Sequence, residues 1–140
     1  MRRWRLLAAA GAAALALAAH GEDKPCTGAQ PAAADKAIER VVTWGQLYAA
    51  WRAHGHCDSA LLEDVWTDAI LRLAVEWRDV EAFAADMTRD AAYRAFVHRH
   101  LTSPAAIDDR ASLHSRATMG CPAGLDAFCA ELAEVVKPGI

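Results

Sequence analysis

An all-α fold, a compact bundle of five or six helices stapled by disulfides, is what three observations predict for this chain. Apolar residues recur at three- and four-residue steps through most of it. No stretch alternates in the manner of a strand or gathers β-branched residues, and no internal repeat is present. Four cysteines, Cys26, Cys57, Cys121 and Cys129, all fall after an export-type leader.

The leader spans residues 1–19. Arg2, Arg3 and Arg5 form a positive head, Leu6 to Ala19 an apolar run, and Ala16-Leu17-Ala18 a small-residue cleavage signal. The run is shorter than the roughly 20 apolar residues a membrane-crossing helix needs, so stable membrane insertion is not expected. Residues 20–34 read as a polar linker or tail, and residues 35–140 as a single helical domain. The expected location is the periplasm or the exterior. Without Arg2, Arg3 and Arg5 the chain holds 12 basic against 18 acidic residues, a formal charge of −6. An acidic surface of that kind excludes nucleic acid as the expected partner.

Within the domain, Asp35 to Val42 forms a short helix through Ile38, Val41 and Val42. Thr43-Trp44-Gly45-Gln46 has the form of a capping box and opens a second helix. Trp44, Leu47, Tyr48 and Trp51 share one of its faces, and Gly55 stops it after His54. The short turn through Cys57 makes the next helix an antiparallel neighbour, which brings Trp44 and Trp51 towards Trp66 or Trp77. That next helix, capped by Asp58 or Ser59, carries the longest apolar stripe: Leu62, Val65, Trp66, Ala69, Ile70, Leu73, Ala74 and Trp77. Thr67 and Asp68 fall on its polar side, and Asp68 stands four residues before Arg72, the favourable order for an ion pair.

Asp79 caps a short helix through Val80, Phe83, Ala84 and Met87, and Thr88 or Arg89 begins another. In the latter Tyr93, Phe96, Val97 and Leu101 make the core stripe, with Arg94, His98 and Arg99 outward. Ser103-Pro104 opens a helix towards Met119 and Gly120, whose apolar residues share no clean face. Leu125, Phe128, Leu132 and Val135 or Val136 line a last helix, ended by Pro138.

An even number of cysteines in an exported chain favours two disulfides over a metal site, because no close Cys-x-x-Cys pair is present. A helix running from Ala123 would hold Cys129 about 10 Å from Cys121, beyond bridging range. A local Cys121 to Cys129 bridge therefore requires the segment Pro122-Ala123-Gly124 to loop back. The spacing leans towards Cys57 pairing with one of the C-terminal two.

Catalytic signatures are missing: there is no nucleophile elbow, no His-Glu-x-x-His and no glycine-rich phosphate loop, so no enzyme and no cofactor is expected. The adjacent acids Glu63-Asp64 and Asp108-Asp109 read as solvated faces. Arg89, Arg94 and Arg99, spaced by five, read as a surface strip balancing the acids. His54 and His56, two apart in a loop, are the metal alternative once a third ligand joins them. His98 and His100 sit in a helical pattern and point apart. The candidate partner-binding loop is therefore His54, His56 and Asp58, held rigid by a disulfide at Cys57.

A leader, a Trp-bearing helix running into a Cys (Trp51 to Cys57), an amphipathic helix after it and late cysteines at Cys121 and Cys129 before a terminal helix complete the layout. In this, over roughly residues 41–136, the chain resembles the periplasmic immunity proteins of type VI secretion amidase effectors. The resemblance implies a helical, dimeric fold that plugs a toxin's cleft with a loop. It implies a protein partner, a toxin or an envelope enzyme, and carries over no individual inhibitory residue.

Overall fold

A computed structural model of the chain describes residues 24–139; the expected leader and the first residues of the expected linker lie outside them. The described residues form seven α-helices and one 3₁₀ turn, with no strand among them. The helices are α1 (Gln30–Glu39), α2 (Trp44–His54), α3 (Glu63–Glu76), α4 (Val80–Arg89), α5 (Ala91–Leu101), α6 (Arg110–Met119) and α7 (Asp126–Val135), with the 3₁₀ turn at Pro104–Ala106 between α5 and α6. The all-α bundle is as expected. Its helices number seven rather than five or six, one for each of the segments in which the sequence shows a helical pattern.

The linker assigned to residues 20–34 needs correcting. Helix α1 begins at Gln30, five residues before Asp35, and Ala34 is buried. Pro31 in its first turn has no N–H to leave unpaired, and the three alanines that follow are the strongest helix formers.

The capping box is present at the head of α2, where Gln46 N donates to Thr43 Oγ1 at 3.2 Å. Gln46 Oε1 in turn accepts from Val42 N at 2.9 Å, one residue ahead of the cap. Gly55 ends α2, and the reason is close approach. A Cβ there would lie 2.6 Å from the Trp51 carbonyl oxygen and 2.7 Å from its indole Cδ1. Gly55→Ala is expected to cost about 1–3 kcal/mol, read as a lower urea midpoint at unchanged slope, because Trp51 must shift in a packed core.

Packing departs from the expected tryptophan pairs. Trp44 stacks on Phe83 of α4, ring centroids 3.7 Å apart and planes 2° from parallel. Trp51 lies against Tyr93 and Phe96 of α5, and Trp66 meets Phe96 edge-on at 5.1 Å. Helices α2 and α3 do touch, but α3 packs chiefly on α5 and α1, and the aromatic rings of α5 lie between Trp51 and Trp66. Asp90, later than the expected Thr88 or Arg89, caps α5 by accepting from Tyr93 N at 3.1 Å, and its other oxygen accepts from Tyr48 Oη at 2.9 Å.

Between α3 and α4 the chain turns through two left-handed residues that are not glycine, Trp77 (φ 55°) and Asp79 (φ 49°). Two indoles hold this turn. Trp44 Nε1 donates to the Arg78 carbonyl at 2.9 Å, and Trp77 Nε1 donates to the Gly120 carbonyl at 2.8 Å.

The disulfides are Cys26–Cys57 and Cys121–Cys129, with Cα separations of 5.0 and 6.0 Å. The lean towards a bridge from Cys57 to the C-terminal cysteines is corrected by where α7 starts. It begins at Asp126, not Ala123, after Gly124 has turned the chain at φ +85°, so Cys129 lies within its first turns and faces Cys121. The bridge closes a hairpin of α6 on α7 around Leu113, Ala117, Leu132 and Val136, and Phe128 sets its edge on Phe83. Among the described residues no helix is long and apolar enough to cross a membrane.

Candidate functional site

The loop between α2 and α3 is fastened residue by residue. Cys57 is fully buried, bridged to Cys26; its N–H donates to the His54 carbonyl at 2.8 Å and its carbonyl accepts from Trp66 Nε1 at 3.2 Å. Asp58, expected in the partner-binding loop and as a cap of the next helix, turns inward, and α3 starts later, after Leu62. The Asp58 carboxylate accepts from the Arg99 guanidinium and lies 3.2 Å from His100 Nε2, leaving the side chain 12% exposed. The far end is held by the Ser59 carbonyl, which accepts from Leu62 N and Glu63 N, both at 2.9 Å, and by the burial of Leu62. Between these anchors Leu61 points out, 84% exposed.

His100, in the last turn of α5 and 1% exposed, joins the loop to α3. Its Nδ1 lies 2.7 Å from Thr67 Oγ1 and its ring stands edge-on to Phe96 at 4.6 Å. Burial, then the neighbouring Arg99, lowers its pKa to about 4 against an opposing pull from Glu63, so the ring is neutral at pH 7. With one proton to place, the network assigns it to Nε2, donating to Asp58, while the Thr67 hydroxyl donates to Nδ1.

A hydroxyl, an imidazole and a carboxylate in this order have the spacing of a nucleophile, its base and an orienting acid. Thr67 is 1% exposed and sits inside a regular helix. The chain of bonds works as a latch. It ties Asp58, and with it the base of the loop, to two helices.

His54 ends α2 and His56 lies in the turn, both half-buried. Among the described residues no group of three or more His, Cys, Asp or Glu is placed to hold a metal ion, so the two histidines gain no third ligand. The arginine strip is engaged within the molecule: Arg89 with Asp86 at 2.6 Å, Arg94 with Glu131 at 3.7 Å, and Arg99 with Asp58. Burial raises the pKa of Asp86, opposed by Arg89, and lowers that of His98, which lies 3.3 Å from Glu131. The expected Asp68–Arg72 ion pair is present at 3.2 Å on the exposed side of α3.

The sequence reading missed His100 and Thr67. A signal existed for the first, since His100 continues the steps of Tyr93, Phe96 and Val97 and borders Leu101 on the buried face. None existed for Thr67, whose place at the edge of the apolar stripe of α3 fits a solvated hydroxyl equally well.

No protein-family model, no curated protein and no solved structure matches the chain. The likeness to immunity proteins therefore rests on the sequence layout.

Proposed function

We propose that the protein is an exported binding module that engages a protein of the cell envelope through the loop Ser59 to Leu61, in the manner of an immunity protein or inhibitor. The observation that carries this reading is the latched loop, anchored on both sides and holding Leu61 out to solvent. An apolar side chain fixed in that way loses little freedom when a partner covers it, so more of its burial energy appears as affinity. Burying one leucine is worth roughly 1.5–3 kcal/mol, enough for about a tenfold to hundredfold change in affinity. The metal-carrier alternative through His54 and His56 has no comparable support, because the third ligand it needs is not beside them.

Pull-down from envelope extract, followed by titration of the recovered partner, tests the reading. A single stoichiometric partner is expected, bound at least tenfold more weakly by Leu61→Asp, a variant whose far-ultraviolet helical spectrum should be unchanged because the side chain touches no core. Equal binding by wild type and variant removes the loop from the interface, and recovery of no stoichiometric partner removes the binding module.

A further inference from the structure

Along α3, Asp64, Asp68, Leu71, Arg72 and Val75 succeed one another at helical steps, and Asp109 faces them from the start of α6. They border an open cleft of about 370 Å³. Its wall is apolar where Leu71 and Val75 meet the core. Three carboxylates look into it against one guanidinium, and Arg72 is already paired with Asp68 at 3.2 Å. Asp64 and Asp109 have no ion-pair partner among the described residues. Leu61 stands three residues ahead of Asp64, so the exposed loop and the head of this stripe belong to one stretch of chain.

We propose that this cleft receives an arginine or lysine side chain of the partner protein, docked beside the loop. The proposal rests on the binding reading above and names the chemistry of the partner. Such a side chain matches the cleft in both its parts: a methylene stem lies along Leu71 and Val75, and the cationic head reaches Asp64 and Asp109. A bare metal ion does not match, since the carboxylates form no group of three placed to hold one among the described residues. Opposite charge at the rim also selects among envelope proteins and speeds encounter with basic ones.

The test uses N-acetyl-arginine amide titrated into ¹⁵N-labelled protein at low salt, with N-acetyl-citrulline amide as the uncharged counterpart. Saturable shifts are expected at the amides of residues 64–75 and 105–109 with the arginine probe, and much smaller ones with citrulline. Asp64→Asn and Asp109→Asn should each weaken binding roughly two- to fivefold, as should added salt. Equal shifts from the two probes, shifts centred elsewhere, or no shifts in the arginine titration overturn the proposal. The probe titration reads the cleft alone, whereas partner binding by Leu61→Asp reads the loop, so a failed cleft and a failed loop give separate results.

Discussion

Between pH 6.5 and pH 4 the protein is expected to lose about 3 kcal/mol of stability through His100 alone. In the unfolded chain this imidazole takes up a proton near its ordinary value of 6.5, whereas in the fold burial, and then Arg99, hold the value down to about 4. Above 6.5 both states are neutral and the full stability is present. As the pH falls from 6.5 the unfolded chain gains a proton that the folded chain refuses, and the loss is complete below 4. His98, lowered in the same direction by burial, adds to the trend. Urea denaturation at a series of pH values measures this, and His100→Gln, which carries no titrating ring, should flatten most of the slope. A wild-type stability that rises on acidification across this range would mean that the ring sits beside Asp58 as a cation, and would overturn the neutral latch. His100→Ala at pH 7 should cost about 3–4 kcal/mol, since it opens a cavity and strands the Thr67 hydroxyl.

Trp44→Ala is expected to cost about 3–5 kcal/mol, the range for deleting a large buried aromatic. The indole does two separable things: it stacks on Phe83, and it fixes the Arg78 carbonyl between the left-handed Trp77 and Asp79. Trp44→Phe keeps most of the stacking and removes the hydrogen bond. It should cost about 1–2 kcal/mol, and should speed amide exchange at residues 77–80 beyond the global change. Uniform exchange across the α3–α4 turn and the rest of the molecule would show that the indole bond does not hold the turn.

What was legible in the sequence is what depends on near neighbours. The box Thr43 to Gln46, the stop at Gly55, the Asp68–Arg72 pair and the stripe Tyr93, Phe96, Val97 and Leu101 all rest on residues within a turn or two of one another. The aromatic pairings were not legible, because α2 meets α4 and α5 through contacts that no local spacing specifies. The disulfide pairing turned on a three-residue difference in the start of α7, which Gly124 decides by adopting a positive φ. At the candidate site the exposed Ser59 to Leu61 tip lies just beyond the loop the sequence singled out. Asp58 was misplaced because the groups that draw it inward, Arg99 and His100, are more than 40 residues away.

Both sulfur bridges join cysteines that are neighbours in the order of synthesis, Cys26 with Cys57 and Cys121 with Cys129. Were the chain threaded into an oxidising compartment from its N-terminus, as the proposed export would have it, the first two thiols would meet before the others emerge, and the last pair would find only itself unreacted. On export by that route, simple oxidation in the sequence of arrival would yield these crosslinks without reshuffling by an isomerase.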